Sequence, residues 1–356
     1  MTNIEDRVNL VARDTIEVVT IDELRSIFEM RKRPRGYIGF ECSGFIHIGI
    51  GLIQGRKIKD AVNAGIDFTI LLADWHSWIN NKFGGNMDHI RLAGEYFIHA
   101  FTAIGVPKDK VKYVWASDVV SDVKYWETVI RVGKKASLRR ILRALPILGR
   151  RDTDEIREFA WLIYPLMQVA DIFALNLDVV FAGIDQRKAH MLARDVAKYF
   201  NRSPPVSVHT PLLPSLYSPV PTKLEEKMFS KMSKSKLESG ILIHDDEETV
   251  KRKIMKSYCP QGDCETNPLY YLLRYIVFPY LTDNKKAFIV KSKKGDLELY
   301  SIIEFEKNYI DGSIHPYDLK LSIIDYLNEI LDPIRKYFDK HGEILDELRE
   351  IIEKRD

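Results

Sequence analysis

The chain has 356 residues, of which 46% are hydrophobic and 29% charged, and its formal net charge is +2. This length predicts about two domains, each with its own core, and the three cysteines are too few and wrongly spaced for a disulfide framework or a four-ligand zinc site. No apolar run approaches the roughly 20 residues that span a bilayer, and the N-terminus lacks the regions of a signal peptide, so we expect a cytoplasmic protein without a membrane segment.

Residues 1–33 are predicted to be helical, with a capping box formed by Thr20 and Glu23. The aromatic and β-branched run Tyr37–Phe40 predicts a buried strand, and a glycine-bearing loop then leads into a helical pattern at Leu52–Ala64. A strand, a glycine-rich turn and a helix together place backbone N–H groups at the positive end of a helix, which suits a phosphate. The sequence has neither the P-loop pattern nor the dinucleotide-binding glycine pattern.

Further predicted strands alternate with helices, and this alternation indicates a doubly wound parallel sheet whose ligands bind at the carboxyl ends of the strands. The predicted elements after the opening strand and helix are a strand at Phe68–Ala73, a helix at Met87–Ile104, a strand at Val111–Ala116, a helical insertion at 122–159 and a strand at Asp178–Gly183. The apolar run at Phe68–Ala73 is typical of a parallel strand covered on both faces.

The insertion carries eight cationic residues between positions 131 and 151 and no acidic residue. A solvated helix face is the ordinary interpretation of a charge run, but so many unbalanced cations favour contact with a polyanion. The cations are Arg131, Lys134, Lys135, Arg139, Arg140, Arg143, Arg150 and Arg151.

The C-terminal third is predicted to form a second, mainly helical domain at 245–356, with one β-like interruption near Ala287–Leu299. Residues 204–221 contain six prolines and are predicted to be a rigid connector. This connector leads to a Lys-Met-Ser-Lys-Ser loop at 231–235, which closes a predicted catalytic domain at 34–240.

Four segments are predicted to meet at the strand ends: the opening loop, the end of the strand before His76, the segment 164–171, and the segment 183–188. In a helix Tyr164, Gln168 and Asp171 share one face. Apolar neighbours surround that helix and indicate that it is buried. Buried polar groups need partners, and a polar ligand is one kind of partner.

Several motifs together carry a family resemblance. His47-Ile-Gly-Ile50 and Lys231-Met-Ser-Lys-Ser235 resemble the HIGH and KMSKS motifs of class I aminoacyl-tRNA synthetases. With Tyr-Ile-Gly-Phe-Glu, Leu-Leu-Ala-Asp-x-His, Tyr-Pro-x-Met-Gln-Val-x-Asp and Asp-Gln-Arg-Lys-x-His-Met-Leu-Ala-Arg, the chain is similar to the archaeal and eukaryotic type of tyrosyl-tRNA synthetase. The resemblance is dense from Tyr37 to Ser235 and looser towards the C-terminus. It implies a Rossmann-type homodimer, joined through the insertion, with a helical anticodon-binding domain.

The resemblance also implies a binding site for L-tyrosine. Tyr37 and Asp171 would hydrogen-bond the phenolic hydroxyl, and Tyr164, Gln168 and Gln186 would hold the α-amino group. The complete set for this substrate is Tyr37, Gly39, Glu41, His76, Tyr164, Gln168, Asp171 and Gln186.

A second implied site binds ATP, with Mg²⁺ accompanying the nucleotide. His47 and Gly49 would contact phosphate and adenine, Lys231 and Lys234 would neutralise the triphosphate, and these four are the implied catalytic residues. The implied ATP-binding set is His47, Gly49, Gly183, Asp185, Lys231, Met232, Ser233 and Lys234. No protein-bound metal site is implied.

The third implied substrate is tRNA(Tyr). By the resemblance Arg143 and Arg187 read the first base pair of the acceptor stem, and Asp318 reads the first base of the anticodon. Ile50 departs from the second histidine of the HIGH motif, which keeps open a tRNA-binding paralogue that has lost activation. The sequence also leaves open a tryptophanyl-tRNA synthetase, which shares the architecture, and a small-molecule adenylyltransferase.

Overall fold

The computed structural model describes residues 3–149, 156–223, 226, 230–232, 239–291 and 295–354. The chain divides into two compact units. The first contains Met1–Gly44, Gln54–Pro211 and Asp346–Asp356, and the second contains Phe45–Ile53 and Leu212–Leu345. The segment that carries His47 and Gly49 therefore groups with the C-terminal residues, whereas the predicted domain boundaries stay a prediction. No helix in the described ranges is long and apolar enough to cross a membrane.

The first unit is built on a six-stranded sheet with the order β1-β6-β5-β2-β3-β4. β2 to β6 run parallel to their neighbours, and β1 pairs with β6 in the antiparallel direction. In chain order the parallel strands lie 3-2-1-4-5 across the sheet, which is the Rossmann arrangement, and the predicted doubly wound fold is confirmed. The strands are β1 (Glu17–Val19), β2 (Arg35–Phe40), β3 (Asp67–Leu72), β4 (Val111–Trp115), β5 (Val179–Gly183) and β6 (Val206–Thr210).

The direction in which the chain winds reverses between β2 and β5, because β3 and β4 lie on one side of β2 while β5 and β6 lie on the other. Ligands of such sheets bind in the crevice at this reversal, outside the carboxyl ends of the strands. Glu41 follows β2 and Asp185 follows β5 at this edge. The topology therefore predicts a ligand site at the carboxyl ends of β2 and β5.

Helices pack against the strands of the sheet, and one of them begins at the side chains that the sequence predicts. The capping box of Thr20 and Glu23 is confirmed at the start of α2. The helices of this unit are α1 (Ile4–Ala12), α2 (Ile21–Met30), α3 (Gly55–Asn63), α4 (Asp74–Ile79), α5 (Met87–Ala103), α6 (Ala116–Val120), α7 (Val123–Lys135), α8 (Leu138–Ala144), α9 (Ala160–Ala174) and α10 (Arg187–Val196). α7 and α8 lie in the predicted helical insertion, whose residues 150–155 are outside the described ranges.

Two predictions of local structure are wrong. Residues 1–33 are not all helical, because 17–19 form the edge strand β1, with Glu17 opposite His209 of β6. Residues 204–221 are not simply a connector, because Val206–Thr210 form β6, in which every residue is buried. The prolines flank this strand rather than interrupt it, so the ladder keeps its N–H donors.

The second unit is mainly helical, as predicted, and its β-like interruption is a two-stranded antiparallel ladder, β7 (Phe288–Val290) with β8 (Leu297–Leu299). Its helices are α11 (Glu247–Lys256), α12 (Pro268–Leu272), α13 (Phe278–Asp283), α14 (Ile302–Ile310) and α15 (Pro316–Phe338). The last helix in the described ranges, α16 (Glu343–Glu353), begins in the second unit, and its residues from Asp346 onward belong to the first. Buried aromatic rings of β7 and α14 pack together, with the centroids of Phe288 and Phe305 at 6.3 Å.

Candidate active site

The central strand β2 and the residue after it carry three predicted site residues, Tyr37, Gly39 and Glu41, whose spacing of two places them on one face. Gly39 is exposed although Ile38 and Phe40 on either side are buried. A methyl group at Gly39 would lie 3.6 Å from Cε2 of Tyr37 and 3.8 Å from Leu71, which is ordinary contact. An accessible glycine in the middle of a sheet marks a hollow beside the Tyr37 ring.

The polar face predicted for the segment 164–171 lies on α9. Tyr164 and Asp171 are buried and Gln168 is half-buried. The Tyr164 hydroxyl donates to Oε1 of Glu41 at 2.9 Å, so α9 and the end of β2 are joined by a polar contact. Burial, followed by the charge of Glu41, raises the pKa of Tyr164 well above its usual value, and its hydroxyl therefore stays a donor.

Asp171 is almost fully enclosed, with a side chain 2% exposed. Its Oδ1 accepts from the Tyr125 hydroxyl at 2.8 Å, and its Oδ2 lies 3.1 Å from Nε2 of His76. Burial alone lowers the pKa of His76, but Asp171 and two further acids outweigh it, so the net pKa is raised. A carboxylate has about four lone-pair sites, and Asp171 keeps capacity for another donor.

The Tyr37 hydroxyl is close enough to the Asp171 carboxylate to be affected by its charge. Burial, and then the negative charge of Asp171, raise the pKa of Tyr37 well above its usual value. Within the described ranges no group makes a hydrogen bond to this hydroxyl, although the residue is only 2% exposed. A buried phenol without a protein partner, next to a carboxylate with spare capacity, is the arrangement that a ligand hydroxyl would complete.

A second polar cluster surrounds Gln168 and Gln186. Nε2 of Gln168 donates to Oε1 of Gln186 at 3.3 Å, and Nε2 of Gln186 donates to the carbonyl of Ile147 at 3.1 Å. Oε1 of Gln168 is buried and has no hydrogen-bond partner among the described residues. This acceptor, together with the carboxylate of Glu41, suits a cationic amino group.

Glu41 is held from the α4 side of the site. Nδ2 of Asn80 donates to Oε1 of Glu41 at 2.8 Å and to the carbonyl of Leu148 at 3.2 Å. Nζ of Lys82 lies 3.3 Å from Oε2 of Glu41. The carboxylate position is therefore fixed by several donors, which is how a preorganised binding group is built.

Gly183 and Asp185, the predicted ribose contacts, lie where β5 passes through a short 3₁₀ turn, Ile184–Gln186, into α10. Asp185 is 8% exposed. The structure thus brings the end of β2, α4, α9 and the β5–α10 turn together, as predicted for three of the four segments.

The remaining predicted nucleotide residues belong to the second unit. Nδ1 of His47 accepts from the N–H of Gly49 at 3.2 Å, and His47 pairs with Leu242 in an antiparallel bridge. A methyl group at Gly49 would lie 3.0 Å from the His47 ring, so a side chain at this position would press against the ring. Lys231 pairs with Pro214 in a bridge, and the Met232 side chain is 2% exposed. Ser233 and Lys234 lie outside the described ranges.

The predicted tRNA contacts are placed on three different elements. Arg143 is exposed on α8, and Asp318 lies half-buried in the first turn of α15. Arg187 begins α10 with a side chain 44% exposed. Of the basic residues in the insertion, Arg140 pairs with Asp195 at 2.6 Å and Arg131 lies over the Phe200 ring, so part of that charge is used within the protein.

Sequence reasoning missed three contributors to the site: Tyr125, Asn80 and Lys82. Tyr125 lies on the buried stripe of α7 with Val129 and Val132. The helical spacing of this stripe could have indicated its burial, but no pattern in the sequence names Asp171 as its partner.

Comparison with known proteins agrees with this architecture. Residues 29–332 match the family model described as tRNA synthetases class I (W and Y). The chain is 47% identical to a tyrosine–tRNA ligase of Saccharolobus solfataricus, covering 98% of this chain and 97% of that protein. It is 46% identical to the tyrosine–tRNA ligase of Sulfurisphaera tokodaii over 96% of this chain and 94% of that one.

Solved structures agree with these relatives. Tyrosyl-tRNA synthetase from Pyrococcus horikoshii, solved with L-tyrosine, superposes with a TM-score of 0.91 at 39% identity and covers 98% of this chain and 100% of its own. The enzyme from Aeropyrum pernix gives a TM-score of 0.87 at 41% identity, with 98% and 99% covered.

The chain therefore belongs to the class I tRNA synthetases of the W and Y family, and within them to the tyrosyl-tRNA synthetases of archaeal type. The family resemblance inferred from the sequence motifs is confirmed.

Proposed function

We propose that this chain is a tyrosine–tRNA ligase, which activates L-tyrosine with ATP and transfers it to the 3′ end of tRNA(Tyr). The observation that carries the proposal is the buried pair of Tyr37 and Asp171 beside the open Gly39. The hydroxyl and the carboxylate supply a donor and an acceptor for a phenol, and the hollow beside them can take a ring.

The amino group of the substrate would be held at the other end of the same site. Its three N–H donors meet the unpartnered Oε1 of Gln168 and the hydroxyl of Tyr164, with Gln186 holding the Gln168 amide in place. Glu41 lines this end of the pocket and contributes negative charge. The His76 ring packs edge-to-face against Tyr164 with centroids 5.0 Å apart, and its Nε2 lies next to the Asp171 carboxylate.

Activation joins the tyrosine carboxylate to the α-phosphorus of ATP and breaks the bond to pyrophosphate. Such a reaction needs alignment and positive groups aimed at the developing charge, and it needs no side-chain nucleophile. We assign phosphate and adenine contacts to His47 and Gly49, triphosphate contacts to Lys231 and Lys234, and ribose contacts to Gly183 and Asp185. Met232 and Ser233 belong to the same ATP-binding loop in this assignment.

Mg²⁺ would accompany the nucleotide. Among the described residues no group of three His, Cys, Asp or Glu side chains is placed to hold a metal ion. Mg²⁺ commonly keeps waters and binds substrate phosphates rather than a dedicated protein cage. The phosphates of ATP are therefore its proposed ligands here, and the ion would help to neutralise their charge.

We assign recognition of tRNA(Tyr) to Arg143 and Arg187 at the acceptor stem and to Asp318 at the anticodon. All three are at least partly accessible. Because tRNA is the proposed substrate, we expect the enzyme to act in the cytoplasm.

A homodimer formed through the insertion is also proposed. Val123 and Ile130 lie two turns apart on one face of α7, and their exposures of 81% and 63% are high for apolar side chains. Phe159, at the end of the same insertion, is 75% exposed. Exposed apolar groups of this kind mark surfaces that bind protein.

ATP–pyrophosphate exchange with tyrosine, phenylalanine and tryptophan offered separately tests the function. Exchange with tyrosine alone supports it. Exchange with tryptophan would show that the chain is a tryptophan–tRNA ligase of the W and Y family instead. Folded protein that binds tRNA but exchanges with none of the three would indicate a binding paralogue and contradict the proposal.

A further inference from the structure

Four side chains beside β1 form a connected series of polar contacts that leads from the surface into the core. Nε of Arg187 donates to Oε1 of Glu17 at 2.5 Å. The same carboxylate oxygen lies 2.8 Å from Nδ1 of His209, and Nε2 of His209 lies 3.0 Å from Nδ1 of His190. The outer guanidinium is thus connected to a fully buried imidazole pair.

Two features of the fold place these four side chains next to one another. Glu17 and His209 are direct partners in the antiparallel β1–β6 pair, where opposite side chains on one face are neighbours. Arg187 and His190 are three residues apart on α10 and therefore share a face. The short edge strand β1 is what brings a carboxylate to this face.

Both histidines are neutral at ordinary pH. Burial, with His209 nearby, lowers the pKa of His190 well below its usual value, and burial outweighs Glu17 in lowering the pKa of His209. A neutral His209 donates its Nδ1 proton to Glu17 and accepts from His190 through Nε2. The Glu17 carboxylate is therefore held by His209 on one side while it accepts from Arg187 on the other.

Arg187 is held by one end only. Its Nε is bonded, its side chain is 44% exposed, and its two terminal nitrogens make no hydrogen bond to any described residue. A guanidinium fixed in this way presents a planar pair of donors outward, which matches the O6 and N7 acceptors of guanine or a phosphate.

We propose that Glu17 is a positioning residue for tRNA recognition, which orients Arg187 with its two terminal nitrogens towards the acceptor end of the tRNA. This inference rests on the proposed function and adds to it a residue outside the family motifs identified in the sequence. The competing interpretation is a half-exposed ion pair without a role in recognition, since such pairs usually contribute little to stability.

The test uses Glu17→Ala, Glu17→Gln, Arg187→Ala and the double variant Glu17→Ala/Arg187→Ala. Glu5→Ala is the matched control, because it removes a carboxylate bonded to Nε of an arginine, Arg25, on the same N-terminal segment. Each protein is assayed for tyrosine-dependent pyrophosphate exchange and for charging of tRNA(Tyr) transcripts with the native or an exchanged first base pair.

We expect Glu17→Ala to lower kcat/KM for tRNA about tenfold and to weaken the preference for the native base pair, with exchange within about twofold of the unaltered protein. Glu17→Gln, which keeps the shape and one acceptor, should recover part of the loss. The double variant should charge tRNA no worse than Arg187→Ala, because the two residues act as one unit.

An equal further loss from Glu17→Ala in the Arg187→Ala background would overturn the inference, as would an unchanged base-pair preference in Glu17→Ala. Normal charging by Arg187→Ala would overturn it as well. Failure of the proposed function is distinguishable, because the unaltered protein would then show no tyrosine-dependent exchange.

Discussion

Replacing Asp171 with asparagine tests the phenol site most directly. Asparagine keeps the shape of the side chain and can still accept from Tyr125, but it removes the negative charge that faces His76 and, in the proposed binding mode, the substrate hydroxyl. A hydrogen bond to a charged group contributes about 1.5–3 kcal/mol, and Asp171 is nearly sealed from water, so solvent does not screen this value. Since about 1.4 kcal/mol corresponds to a factor of ten, kcat/KM for tyrosine should fall about 10- to 150-fold.

Phenylalanine has no hydroxyl, so its activation should not fall with that of tyrosine, and the preference for tyrosine should shrink by the same factor. Discrimination of this kind arises when the wrong substrate leaves buried polar groups unpaired, an effect for which tyrosyl-tRNA synthetases are the standard example. The assay is pyrophosphate exchange with each amino acid across a range of concentrations. Truncation to alanine should abolish the discrimination, although it also removes the hydrogen bond that the Tyr125 hydroxyl donates to Asp171.

Tyr125→Phe is the matched control. It removes the other hydrogen bond to Asp171, which costs about 1 kcal/mol of stability, but it leaves the carboxylate in place and should preserve the preference. An Asp171→Asn protein that is folded and still prefers tyrosine as strongly as the unaltered enzyme would refute the assignment.

The remaining predictions concern stability, the nucleotide loop and assembly. The pKa of His76 is raised above its usual 6.5, so the stability that its charged form contributes is complete below about pH 6.5 and is lost as the pH rises through the raised value. In urea unfolding, His76→Gln should therefore lower the free energy of unfolding more at about pH 5.5 than at about pH 8.5. A loss that grows with pH would contradict the ion pair with Asp171. Gly49→Ala should displace the His47 ring and slow exchange about tenfold without changing the KM for tyrosine, whereas normal exchange would show that the ring position does not matter. Ile130→Glu should convert the proposed dimer into monomers in sedimentation experiments, and an unchanged dimer would place the interface elsewhere.

The parallel sheet could be predicted because most of its strands are recognisable one by one. Phe68–Ala73 is an uninterrupted apolar run, and such runs are typical of strands covered on both faces. β6 could not be recognised in this way, since Ser207 and His209 interrupt the apolar pattern with polar residues that are nevertheless buried. A buried His209 is tolerated because β1 and α10 supply the partners Glu17 and His190, and only the folded chain brings these together.

In the candidate site, too, the positions within one element could be predicted from the sequence, whereas the contacts between elements could not. Tyr164, Gln168 and Asp171 could be placed on one buried face because a helix repeats every 3.6 residues. Their partners could not be named, because Tyr125 is 46 residues away from Asp171 along the chain and lies in an insertion whose obvious feature is its positive charge. Spacing within an element is local information, whereas a hydrogen bond between elements depends on how both are packed.

The two acidic groups of the pocket explain why such partners matter. Asp171 is buried and Glu41 is partly buried, and a buried carboxylate without donors would be costly. Tyr125 and His76 offset that cost for Asp171, while Asn80, Tyr164 and Lys82 do so for Glu41. Because these donors come from α4, α7, α9 and the turn after α4, the pocket is already charged and oriented before a substrate arrives. In the proposed binding mode, a tyrosine ligand supplies the hydroxyl and amino donors that the protein leaves out, whereas phenylalanine has no hydroxyl to supply.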